Sequence, residues 1–245
     1  MMTTLFSALI ALAAVTAEPA AGPIELFPGK NLDAWRPPLG DWMIVGEVSM
    51  DAQKPKALAW KPGSGVALNG QQGRTVNLLS QQEFGDIEAH LEFIIPAKSN
   101  SGVYFMGRYE LQVYDSYGVL KDKYPGIECG GIYPRWVNNH EMEGHTPSVN
   151  ASLPPGQWQT FDVVFRAPRF DASGKKIANG RFVRVLHNGK LVHENVEVTG
   201  PTRAARYNDE KPVGPIMLQG DHGPVAYRNV RVRTLPPEAE GAKAQ

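Results

Sequence analysis

Two short segments hold the side chains best suited to chemistry. In Tyr109-Glu110-Leu111-Gln112-Val113-Tyr114-Asp115, polar and apolar residues alternate. If this is a strand, Glu110, Gln112 and Tyr114 share one face, and Tyr109, Leu111 and Val113 share the other. The apolar face would pack on a second sheet, leaving a carboxylate, an amide and a phenol to line a polar cleft. Asp115 ends the run. Two neighbouring carboxylates can act as acid and nucleophile in glycoside hydrolysis, supply a base beside a carbonyl, or bind a hard cation. The spacing leaves all three open.

The second segment is Met217-Leu218-Gln219-Gly220-Asp221-His222-Gly223, a short apolar run opening into a glycine-flanked turn. Histidine titrates near neutral pH, so His222 can carry a proton or ligate a metal. Asp221 can orient its ring or cap the turn. His140-Glu141-Met142-Glu143-Gly144-His145 lacks the helical spacing of a zinc-protease motif and reads as a solvated loop. Among the tryptophans, Trp136 is the best placed to touch a sugar ring, because it falls in the longest stretch without strand signals. Cys129 is the single cysteine. It reads as packed between Glu128 and two glycines, which leaves the chain no internal disulfide and a hydrophobic core to stabilise it.

The elements that must position these residues are short. The chain has 245 residues, 42% of them hydrophobic, with 25 glycines and 20 prolines spread along its length. Such punctuation leaves little room for long helices and predicts an all-β sandwich or barrel. Strands are expected over residues 42–45, 86–95, 102–106, 109–114, 159–165, 181–187, 215–219 and 225–234. Asn188-Gly189 between two strand-like runs predicts a tight hairpin, and residues 171–175 with Asn179-Gly180 read as another exposed loop. Residues 116–157, rich in glycine and proline, read as a long loop walling a binding site.

Twenty-five basic residues balance 25 acidic ones, which removes the positive field that nucleic-acid or anionic-membrane binding needs. A neutral substrate suits this balance better, and the small carbohydrate expected as partner rests on the motifs below. Residues 1–17 read as a secretory signal, apolar and short with a Val15-Thr16-Ala17 cleavage pattern, although no Lys or Arg precedes the apolar run. That predicts export to a periplasmic or extracellular space, with no transmembrane segment in the mature chain. Residues 24–235 form one domain, and residues 236–245, without bulky apolar side chains, read as a disordered tail.

Several motifs together resemble the 3-keto-disaccharide hydrolase family. They are Asn100-Ser101-Gly102-Val103-Tyr104-Phe105, Arg108 to Ser116, Gly130-Gly131-Ile132-Tyr133, Gly156 to Asp162, Phe165 to Phe170, Leu218 to Gly223 and Tyr227-Arg228-Asn229-Val230, after an opening at Phe27 to Trp35. One departure is Gly220, inserted where the family commonly reads Gln-Asp-His directly. The resemblance implies a concanavalin-like jelly roll of two curved antiparallel sheets with ligand on the concave face. It also implies cleavage of glycosides oxidised at C3: the ketone acidifies the C2 hydrogen, a base removes it, and the C1 substituent leaves. On that footing Glu110 or His222 is the base and Asp115 an acid or metal ligand. Arg108, Gln112 and Gln219 hold sugar oxygens, and Tyr133 donates to the leaving group or enolate. A divalent metal polarising the ketone would draw on Glu110, Asp115 and His222. The competing expectations are a retaining glycosidase using Glu110 with Asp115, and a lectin-like binding module.

Overall fold

The computed structural model describes residues 22–123 and 127–238. It contains sixteen strands: β1 Ile24–Glu25, β2 Met43–Met50, β3 Leu58–Leu68, β4 Leu78–Phe84, β5 Ile87–Ile94, β6 Asn100–Phe105, β7 Tyr109–Tyr114, β8 Arg135–Val137, β9 His140–Met142, β10 Gln159–Arg166, β11 Arg169–Phe170, β12 Lys176–Ala178, β13 Gly180–His187, β14 Lys190–Val198, β15 Gly214–Leu218 and β16 Ala226–Thr234. The larger sheet runs β14-β13-β10-β5-β16-β3-β2, with β1 also on β16, and the smaller runs β4-β15-β6-β7. Their ladders are antiparallel. This is the two-sheet jelly-roll sandwich that the resemblance implies. No helix among the described residues is long and apolar enough to cross a membrane.

Strict alternation builds the core. Burial along β10 switches at every residue, so Phe161, Val163 and Phe165 point inward. They meet Val103, Phe105, Tyr109, Leu111 and Val113 of the smaller sheet in one cluster. Phe105 lies 5.3 Å from Phe165 and 5.2 Å from Phe182, ring centre to ring centre, and Tyr109 lies 5.5 Å from Phe165. Each such side chain contributes about 2–3 kcal/mol on burial, so the face of β7 that bears Tyr109 is fixed and Glu110 must point the other way.

The Asn188-Gly189 hairpin forms as expected, with φ of 50° and 75° at its two turn residues. The 116–157 stretch holds more structure than expected. β8 and β9 form a hairpin within it, turned by Asn138 and Asn139 at φ of 50° and 62°. Residues 130–133 also run along β7: Gly130 N donates to Gln112 O at 2.8 Å, Gln112 N to Gly131 O at 2.8 Å, and Tyr133 N to Glu110 O at 3.1 Å. β3 and β4 carry no signal that alternation could register. Pro62, Gly63 and Gly65 interrupt the first, and Ser80-Gln81-Gln82-Glu83 makes the second polar.

Residues 1–17, the expected signal, lie outside the described residues. Of the tail expected to be disordered, residues 236–238 hold contacts with the body. Pro236 O accepts from Arg166 Nη1 at 2.6 Å, and Glu238 pairs with Arg166 and Arg181. The remainder of that tail is outside the described residues.

Candidate active site

The site builds up on the face of the smaller sheet turned away from the core. Cross-strand pairing sets Glu110 beside Tyr104 and Tyr104 beside Met217 in one row, with Gln112 beside Gly102 in the next. Gln219 adjoins that second row through its N–H to Gly102 O at 2.9 Å. Gly102 decides the geometry: a Cβ there would stand 2.2 Å from Glu110 Oε1, so the carboxyl group lies in the hollow left by a missing side chain. Glu110 is 3% exposed and Gln112 1%. The carboxyl and amide of this polar face are therefore buried rather than open along a cleft.

Burial pushes the Glu110 carboxyl up to about 8; a hydrogen bond from Tyr104 opposes that rise and the negative charge of Asp221 adds to it. Burial, followed by the nearby Glu110 charge, also raises the Tyr104 phenol. The Gln112 amide satisfies its neighbours with its nitrogen toward Glu110 Oε1 at 3.0 Å and Ser101 O at 3.1 Å. Gln219 Nε2 reaches Tyr104 Oη at 3.4 Å. The result is a carboxyl group that is neutral at pH 7, surrounded by hydrogen-bonding groups and by no guanidinium or ammonium in direct contact among the described residues.

Asp221 and His222 follow the end of β15. Asp221 Oδ1 lies 2.6 Å from His222 Nδ1, both side chains half exposed, so Nε2 is the ring nitrogen left to meet a ligand. Gly220, the residue that departs from the family pattern, has a local cause. A Cβ there would meet Val76 O at 2.4 Å and Trp42 Nε1 at 3.1 Å, and its backbone is held by Asn77 Oδ1 and the Thr75 N–H. Asp221 borders a cavity of about 450 Å³ that includes Thr75, Asn77, Arg206 and Tyr207 in its wall. A second cavity of about 540 Å³ opens beside Trp136, Thr202 and Arg203. Thr202 joins that wall to the acid, since its Oγ1 accepts from Glu110 N at 3.1 Å.

The structure brings Glu110, Gln112, Tyr133 and Gln219 together and sets Asp221 and His222 at their edge. It does not bring in two other expected residues. Asp115 is turned away: its Oδ2 accepts from Lys98 N at 2.8 Å, anchoring the turn into β6, and the carboxylate that Glu110 senses is Asp221. Periodicity placed Asp115 near Glu110 in sequence but could not supply its reach. Arg108 is a strut, with Nε on Asp209 O (2.5 Å), Nη1 on Met106 O (2.8 Å), Nη2 on Asp209 Oδ1 (2.7 Å) and the Tyr207 ring 4.7 Å away. These bonds tie it to Met106 and Asp209, and at 3% exposure it presents no open face to a sugar. Trp136 is 47% exposed, under the Arg203 guanidinium at 4.4 Å. Cys129 is packed beside His187, its thiol pushed up to about 12 by burial, and is no nucleophile.

Among the described residues, no three His, Cys, Asp or Glu side chains converge as a metal-ligand set, and Asp115 is missing from the trio Glu110, Asp115 and His222. The residues present therefore do not fit the divalent metal considered from sequence, and no step below is routed through one. Sequence reasoning missed Tyr104, Gly102, Thr202 and Arg203. The signal for Gly102 was available: a glycine within a β-branched and aromatic run marks a close approach.

A jelly-roll sandwich with a buried acid on the outer face of its smaller sheet defines the class. The chain belongs to the family of 3-keto-alpha-glucoside-1,2-lyase-like domains, whose model matches residues 22–233, and is thereby a carbohydrate-active hydrolase. Two solved structures from Parabacteroides distasonis, both assigned by name to the glycosyl hydrolases, share the fold. One is 23% identical with a TM-score of 0.61, covering 96% of this chain and 100% of its own. The other is 20% identical with a TM-score of 0.54, covering 88% and 100%. No curated protein matches the chain.

Proposed function

We propose that this protein cleaves 3-keto-glycosides by elimination, with His222 as base and Glu110 as acid. The observation that carries the reading is the contrast between the two groups. His222 is held at Nδ1 by Asp221 at 2.6 Å and presents Nε2 toward solvent, whereas Glu110 is buried with its pKa raised to about 8 and is protonated at neutral pH. An imidazole oriented by a carboxylate through one nitrogen, together with a carboxyl group that burial keeps protonated, supplies a base and an acid.

In this sequence of steps His222 Nε2 takes the C2 proton, and the bond's electron pair enters the enolate of the C3 ketone. Hydrogen-bond donors around the site, the Tyr133 phenol among them, stabilise that oxygen. The enolate collapses to a C1=C2 double bond as the C1–O1 bond breaks, and the Glu110 carboxyl gives its proton to O1. Water adding to the enone completes net hydrolysis, and no glycosyl-enzyme forms. Gln112 and Gln219 orient the acid and the sugar. A retaining glycosidase built on Glu110 with Asp115 would need both carboxyl groups at the scissile bond, and Asp115 is engaged with Lys98 N.

The test is release of 4-nitrophenol from a 4-nitrophenyl 3-keto-glucoside and from the matching unoxidised glucoside. Release from the keto compound alone, with exchange of the C2 hydrogen in deuterated water, is expected. Release from the unoxidised glucoside overturns the elimination reading.

A further inference from the structure

Two cavities of different character adjoin the surroundings of Glu110: Asp221, whose charge acts on its carboxyl, borders one, and Thr202, which accepts from its backbone N–H, borders the other. The one bordered by Asp221 is lined by Thr75, Asn77 and Arg206, groups suited to ring hydroxyls. The other contains a stacked slab, Trp136 under the Arg203 guanidinium. That slab is held in place from two sides: Arg203 N donates to Pro134 O at 2.8 Å and its Nη1 lies 3.6 Å from Glu141 Oε1. Trp136 itself takes no part in the core. A large aromatic side chain braced by a fixed cation, yet left open to a cavity, is a recognition surface for a flat apolar face.

Building on the elimination reading, we infer that the Trp136–Arg203 cavity holds the leaving group and favours one with a flat face, an aryl aglycone over a small alkyl one. The placement follows from the acid. Thr202 belongs to this cavity's wall and holds the Glu110 backbone. The charges of Glu110 and of Arg203 both act on the Tyr133 hydroxyl. The departing oxygen must face the proton donor, so its substituent occupies the cavity on the Thr202 side, while the reacting ring occupies the Asp221 side beside His222. At about 540 Å³ the cavity is within the range of small-ligand sites.

The experiment compares kcat/KM for 4-nitrophenyl and methyl 3-keto-glucosides in the wild type, Trp136→Ala and Trp136→Phe. Trp136→Ala should lower the aryl-to-methyl ratio about tenfold, the scale of one lost aromatic stack. The loss should appear chiefly in KM, and Trp136→Phe should restore most of it. An unchanged ratio, or equal losses on both substrates, overturns the assignment. If the wild type cleaves neither compound, the elimination reading fails by itself. Calorimetric binding of 4-nitrophenyl and methyl glucosides then decides the cavity: an aryl preference abolished by Trp136→Ala upholds it, and no preference in the wild type overturns it.

Discussion

Glu110 and Asp86 are both buried carboxyl groups beside sheet strands, and their surroundings drive them in opposite directions. Burial raises Asp86 as it does Glu110, but hydrogen bonds from Arg169, the Ala167 N–H and Arg166 outweigh it and hold Asp86 below its ordinary range. Arg169 Nη1 and Ala167 N each donate to Oδ1 at 2.9 Å, while Arg166 Nη1 reaches Oδ2 at 2.9 Å and Arg169 Nη2 at 2.5 Å. Glu110 receives only neutral donors and feels Asp221 as a like charge. A carboxylate with its full complement of cations is a structural tie. A carboxyl group buried without one is maintained at a cost in stability, and such groups mark chemistry.

Exchanging the two roles by mutation tests the contrast. The largest expected effect is on rate: Glu110→Gln should lower kcat on a 3-keto-glucoside about a thousandfold, while Asp86→Asn keeps kcat near the wild-type value. Similar kcat losses in both would erase the distinction. Next in size, Asp86→Ala should cost roughly 3 kcal/mol in urea unfolding, because it strands two guanidinium groups. Gly102→Ala sharpens the comparison from the other side. Its Cβ would displace the Glu110 carboxyl, and kcat should fall about 100-fold, as expected for a catalytic group moved by about an ångström.

The smallest effect is on stability against pH, and its sign is diagnostic. Between the ordinary value of 4.5 and the folded value of about 8, the folded state holds a Glu110 proton that the unfolded chain has lost. Stability from this group is therefore full below 4.5 and declines as pH rises to 8. Glu110→Gln should unfold at higher urea than wild type at pH 9, by about 2 kcal/mol, with the gap closing at pH 5. Asp86 behaves conversely: its contribution is present above the ordinary carboxylate range and declines as pH falls through its lowered value.

Sequence periodicity was most informative where burial is one-sided. β7 spans the expected residues 109–114, and β10 shows the strict alternation that its apolar positions imply. It lost β3 and β4, where Pro62, Gly63 and the Ser80 to Glu83 run carry no alternation, and where cross-strand neighbours supply the ladder instead. The candidate site divides similarly. Alternation put Glu110 and Gln112 on one face, but it could not show that residues 130–133 and Thr202 would hydrogen-bond along the edge of β7. The raised pKa of Glu110 comes from burial and from the charge of Asp221, more than a hundred residues away in sequence, which local alternation does not report. Asp115 and Arg108 resembled site residues by proximity; long-range partners, Lys98 and Asp209, claimed them.

β16, the last strand of the sandwich, lies inside the larger sheet, between β5 and β3, with β1 also on it. Its partners begin at Ile24, Leu58 and Ile87, so the sheet's middle waits for β16 to be synthesised. Until then β5 and β3 have no common neighbour, and the long-range pairings that fold slowly cannot close. A chain emerging from the ribosome therefore keeps its sandwich open until Ala226–Thr234 is made. A truncation before Ala226 would split the sheet in two rather than shorten its edge.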